Sequence, residues 1–157
     1  MSDDARFEDG AEKPLALRAE APDDLAVMAA LLQDAVGQLA EVSWQPKRHR
    51  FALLLSRFRW EDSPRAKRAR RSFERVRSLL VFDGVLAARS DDLAASGKDT
   101  VFALLDITWQ PGAEGAGQLQ LILSGDGIIA LDCECLDVTL TDVARPHKAK
   151  SLPDHDG

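Results

Sequence analysis

A chain of 157 residues, 45% hydrophobic and 29% charged, is long enough to bury one compact core without disulfide or metal staples. No apolar run approaches the length that spans a bilayer, and the acidic start Met1-Ser2-Asp3-Asp4 is the reverse of a secretory leader, so neither a membrane protein nor an exported one is expected. The net charge of −6 is unevenly spread: residues 47–77 hold 12 of the 20 Lys and Arg against Glu61, Asp62 and Glu74, a net +9, which leaves −15 for the rest.

Residues 1–13 read as a polar, disordered arm. Leu15, Leu17 and Ala19 alternate and predict a short strand over 14–20. Pro22 suits a first helical turn, and Asp23 and Asp24 suit the positive end of its dipole. Leu25, Met28, Leu32 and Ala35 form one stripe at helical spacing, which predicts a helix over 22–36 stopped at Gly37. Two strands follow, around Leu39–Trp44 and His49–Trp60, joined by a hairpin at Pro46-Lys47-Arg48. Ser63 and Pro64 look like a cap and first position, predicting a helix to about Glu74, with a loop as the alternative.

Residues 75–90 predict a long strand, or two bent at Asp83-Gly84. Residues 101–111 and 117–124 predict a strand pair joined by a glycine-rich loop. Gly125-Asp126-Gly127 is a tight turn, and 128–143 forms a last strand or pair. Residues 146–157 read as a polar tail.

The wording of the chain repeats. Glu41-Val42-Ser43-Trp44-Gln45-Pro46 matches Asp106-Ile107-Thr108-Trp109-Gln110-Pro111 at an offset of 65. Asp23-Asp24-Leu25-Ala26 recurs at Asp91-Asp92-Leu93-Ala94, offset 68. The strands 50–56 and 118–124, and the long runs 77–90 and 128–140, also correspond. Two copies of one β-rich unit, 14–84 and 85–145, would account for this. Convergent strand composition would too.

The blocks 23–36, 50–61, 74–90 and 133–143, in this order and with the closing Pro153-Asp154-His155-Asp156, resemble the bacterial family Domain of Unknown Function 2948. The resemblance covers all but about the first 13 residues. It implies an intracellular bacterial setting and carries over no activity, cofactor or catalytic residue.

Each motif has a functional and a bland reading. Arg65, Lys67, Arg68, Arg70, Arg71 and Arg75, with Arg77 beyond them and Phe58 and Trp60 before them, could neutralise phosphates, and on a helix Arg68, Arg71 and Arg75 would share a face. The bland reading is a solvated insertion that offsets the negative remainder of the chain. Cys133-Glu134-Cys135 could serve a soft metal, yet His49, His147 and His155 stand at no metal spacing; two small residues on the inner face of a strand are the expected reading. Asp142, His147 and Asp154-His155-Asp156 could form an acid–base or metal set, against a solvated terminus. Gly125-Asp126-Gly127 reads as a hairpin turn rather than a phosphate loop, and Trp44 and Trp109 as packing residues.

The sequence therefore predicts an α+β fold. It is mainly antiparallel, with six to eight strands in a barrel-like or two-layer arrangement, one packed N-terminal helix and a basic insertion. The expected function is that of a non-enzymatic cytoplasmic binding or adaptor module without metal or cofactor. Its partner would be an acidic protein or nucleic acid. The alternatives are non-specific nucleic-acid binding through 64–77, and a small-ligand site or enzyme pocket between the repeated halves.

Overall fold

The computed structural model describes residues 14–59, 74–90 and 97–143. Within them lie one α-helix, α1 (Pro22–Leu31), and ten strands: β1 (Ala16–Ala19), β2 (Ala35–Gln38), β3 (Val42–Gln45), β4 (Arg50–Phe58), β5 (Arg75–Asp83), β6 (Val85–Ser90), β7 (Val101–Pro111), β8 (Gly117–Leu123), β9 (Ile128–Cys133) and β10 (Val138–Asp142). All strand pairs are antiparallel, and the sheet runs β1-β10-β5-β4-β2-β7-β8-β9-β6, with β3 also on β4. The sheet is not closed, since β1 and β6 end the order without pairing each other.

Alternation explains the strands. β4 buries Phe51, Leu53, Leu55 and Arg57, and β8 buries Leu119, Leu121 and Leu123, so each presents one face to a single shared core. β5 and β6 are one strand bent at Gly84 (φ 76°), and β9 runs on into β10 through a bend at 134–137. The two bends meet: the Glu134 N–H donates to Gly84 O at 2.9 Å and the Asp83 N–H to Asp137 O at 3.0 Å. Past the bends the strands exchange partners, β5 with β10 and β6 with β9.

The helix departs from its expected length. It begins at Pro22 but ends at Leu31, with a turn closed by Asp34 in the left-handed region (φ 66°). Residues 35–38 are strand, because their backbone finds partners in both β7 and Ser56 of β4. The apolar period that runs on to Ala35 thus serves two elements, and Ala35 is buried from a strand. Gly37 is not a helix stop. It faces Phe102 in the ladder, and a Cβ there would stand 2.9 Å from both Phe102 Cζ and Leu55 Cδ2, so its bareness seats the ring. The strand count exceeds the expected range because the run 38–46 breaks at a 3₁₀ turn, Leu39–Glu41, and both long runs bend. Leu25, Met28 and Leu32 face the core, and α1 packs on β1 and β7.

Chain order gives two meander-like runs of four strands, β3 to β6 and β7 to β10, which exchange their last strands. In the first, the β3–β4 rungs are Val42↔Leu53, Ser43↔Ala52, Trp44↔Phe51 and Gln45↔Arg50. In the second, the β7–β8 rungs include Ile107↔Leu121, Thr108↔Gln120, Trp109↔Leu119 and Gln110↔Gln118.

Candidate functional site

The β4–β5 ladder ends in arginines. Its last rungs are Leu55↔Ser78, Ser56↔Arg77, Arg57↔Val76 and Phe58↔Arg75. The Arg59 N–H adds one more bond, to Glu74 O at 2.8 Å. Strand alternation sends these side chains to two faces. Arg57 lies on the core face, in phase with Phe51, Leu53 and Leu55, and is wholly buried. Arg75 and Arg77 lie on the opposite face and are exposed.

The buried member is held by a fork. Arg57 Nε donates to Asp142 Oδ1 and Nη2 to Asp142 Oδ2, both at 3.1 Å, and Nε also reaches Ser78 Oγ at 3.1 Å. Nη1 donates to the Phe58 carbonyl at 3.1 Å. Ser78 Oγ donates to Asp142 Oδ1 at 2.6 Å, and the Leu15 N–H to Oδ2 at 2.9 Å. Burial pushes the Asp142 carboxyl up. The bonds from Arg57, Ser78 and the Leu15 amide outweigh that and hold it below the usual carboxylate range. The network ties β4, β5, β10 and the entry to β1 together, and its saturation marks it as structural.

The exposed members form a surface. The Arg75 guanidinium lies 4.0 Å over the Phe58 ring centroid, and its Nη1 donates to Ser56 O at 2.7 Å and Ser56 Oγ at 3.2 Å. Phe58 is half-buried beneath it. Arg77 pairs with Glu41 at 3.2 Å, and Arg59 with Glu74 at 3.7 Å. Among the described residues no carboxylate lies within ion-pair distance of Arg75. Arg75 belongs to a strand, so it does not share a helical face with Arg68 and Arg71. Arg65, Lys67, Arg68, Arg70 and Arg71, the helix expected over 64–74 and Trp60 lie outside the described residues, in the connection between β4 and β5.

Charge divides the meanders. Residues 35–90 hold 13 Lys or Arg against five Asp or Glu, net +8; residues 101–142 hold seven Asp or Glu and no Lys or Arg, net −7. Among the described residues, Arg57–Asp142 and Arg89–Asp132, the second at 2.6 Å, are ion pairs that join them.

The remaining motifs separate. Cys133 ends β9 and is buried, its thiol pushed up to about 12 by burial, whereas Cys135 lies in the bend beyond and is exposed. They do not share an inner strand face, because the strand stops at Cys133: one thiol is buried and the other exposed. Gly125 and Asp126 make the β8–β9 turn, both at positive φ. Trp44 and Trp109 are half-buried against the core. His147 and 153–156 lie outside the described residues, as does the second Asp-Asp-Leu-Ala. No described helix is long and apolar enough to cross a membrane.

Sequence reasoning missed Arg57–Ser78–Asp142. The signal was present: Arg57 continues the core phase of β4, Ser78 that of Leu80 and Phe82, and Asp142 that of Val138 and Leu140. Three polar residues in core phase announce a buried network.

A family model described as Protein of unknown function (DUF2948) matches residues 15–155, and the chain belongs to that family. No curated protein and no solved structure matches the chain.

Proposed function

We propose that this chain, from a family whose function is open, is a non-enzymatic binding module whose partner meets the arginine-bearing end of the β4–β5 ladder. The observation that carries this reading is the exposed Arg75, stacked on Phe58 with no ion-pair partner among the described residues, at the base of a connection that holds Arg65, Lys67, Arg68, Arg70 and Arg71. A polyanion such as nucleic acid supplies phosphates for such a surface, and an acidic protein supplies carboxylates. The free thiols of Cys133 and Cys135 fit a cytoplasmic setting in a bacterium. The module on this reading spans 14–145, flanked by the arm 1–13 and the tail 146–157.

The two meanders read as copies of one unit. Offsets of 65 and 68 carry four β3–β4 rungs onto four β7–β8 rungs without a slip. The exchange of β6 and β10 between meanders is reciprocal, as a two-fold relation requires. A ligand pocket between the copies competes with the binding-module reading. What weighs against it is the packing at their junction, where Phe102 fills the space over Gly37 beside Leu55.

The test is binding of the full chain to mixed RNA and to duplex DNA across a salt series, beside a variant with Arg65, Lys67, Arg68, Arg70 and Arg71 changed to Gln or Ser. Five phosphate contacts on duplex DNA predict a slope of log K on log salt of about −4.5, most of it lost in the variant. Absence of binding at low salt excludes nucleic acid and leaves acidic proteins as the partners to test.

A further inference from the structure

The outer edge of β10 is covered. β1 pairs with it antiparallel from Ala16↔Thr141 to Ala19↔Val138. On its inner side β10 pairs with β5, and β6 in turn pairs with β9. Since β5 runs on into β6 and β9 into β10, β6 holds in the first meander the place that β10 holds in the second. The outer edge of β6, however, ends the sheet: among the described residues no strand lies on it. The observed pairing alone makes this comparison, and it stands whether or not the meanders share an ancestor.

We propose that the outer edge of β6 docks a second copy of this chain, β6 pairing antiparallel with the β6 of its partner and thereby supplying the strand that β1 supplies to β10. Three observations point to this occupant. First, the regular part of β6, Ala87–Ser90, follows a bulge at Leu86 and is four residues long, as is the stretch Val138–Thr141 that β1 covers. Second, beyond Val85, which is buried and whose N–H donates to His49 O at 2.9 Å, the edge Leu86-Ala87-Ala88-Arg89-Ser90 is small and mostly apolar. It carries neither Pro nor Lys, the residues that commonly block edge pairing, and Leu86 is 52% exposed.

Third, its one charge is already neutralised sideways. Arg89 Nη1 and Nη2 donate to Asp132 Oδ2 and Oδ1 at 2.6 and 3.2 Å. An edge paired with itself about a two-fold axis at Ala88 sets Arg89 opposite Ala87 of the other copy, so like charges do not meet. An antiparallel strand is self-complementary in this way, and the interface needs no second surface.

Sedimentation equilibrium of the full chain over a concentration series, with backbone amide exchange followed at each concentration, tests this. The expected result is a dimer in which amides of 86–90 gain protection as concentration rises, while those of 16–19 do not change. Ala87→Lys sets a cation opposite Arg89 twice per dimer and should weaken self-association at least tenfold while leaving the thermal midpoint of the dilute protein in place. A chain that stays monomeric at every concentration overturns the proposal, as does a dimer whose added protection falls outside β6. Nucleic acid is absent from this experiment, and the variant with the basic connection neutralised should dimerise unchanged, so this proposal and the binding-module reading fail separately.

Discussion

The β4–β5 and β8–β9 ladders occupy corresponding places in the two meanders, yet one is longer. β8–β9 pairs from Gly117↔Cys133 to Ile122↔Ile128 and then turns at Ser124–Asp126. By the offset of 68, its rungs correspond to residues 49–54, of which 50–54 lie in β4. β4–β5 continues beyond that point through Leu55↔Ser78, Ser56↔Arg77, Arg57↔Val76 and Phe58↔Arg75. Those extra rungs carry every arginine of the candidate surface that lies on a ladder, and the buried network as well. The apolar alternation of the shared rungs sets the fold. The extension has no match in the β8–β9 ladder, and there a buried cation is satisfied by Asp142 and an exposed one, Arg75, has no ion pair among the described residues.

The comparison can be broken most severely at the network. Asp142→Asn removes the charge that faces a buried guanidinium and should cost about 3–5 kcal/mol in a urea titration. The shared rungs supply the matched control. Leu53 and Leu121 are counterparts and both are buried, so Leu53→Ala and Leu121→Ala should each cost about 2–5 kcal/mol and by similar amounts. A large difference between the two would show that the meanders are not energetic equivalents, whatever their registers.

Smaller in effect is Gly37→Ala, at the junction. The added Cβ would press on Leu55 and Phe102 at 2.9 Å, and overpacking of this kind costs about 1–3 kcal/mol. A near-neutral result would mean that the junction is loosely packed and would revive the pocket between the meanders.

The network also has a pH signature. The folded Asp142 carboxyl titrates below its ordinary value, so its contribution to stability is present above about pH 4, the unfolded value, and is lost as pH falls through the folded one. Stability should drop with acid below that point, and more shallowly in Asp142→Asn. An unchanged acid limb in the variant would assign the loss to other carboxylates.

Much of this fold is legible in the chain. The helix start at Pro22, the alternation of β4 and β8, and the bend at Asp83-Gly84 follow from local chemistry. What is not legible depends on distant partners. The helical period continues through Ala35, and only pairing with β7 and Ser56 turns 35–38 into strand. Cys135 continues the spacing of Cys133, and only the meeting of two bends takes it out of the sheet. The sheet order could not be read, because it rests on an exchange of β6 and β10 between regions distant in sequence. Of the site, the basic run and Arg75 are visible as composition, whereas Arg57 becomes visible only when its phase in β4 is counted.

The smallest effect tests the exposed end of the extension. Arg75→Ala removes a cation stacked on Phe58 and a bond to the Ser56 carbonyl, with no ion pair to a described acid at stake. A cation–π contact at an exposed site is worth about 0.5–1 kcal/mol, so folding should weaken only slightly. If Arg75 serves a partner, its removal should weaken duplex DNA binding and lower the magnitude of the salt slope by about one. A loss of stability with an unchanged slope would make Arg75 a clamp that closes the ladder under the basic connection. A changed slope with little loss of stability would make it part of the binding surface, since a residue that only supports the fold has no reason to release a counterion.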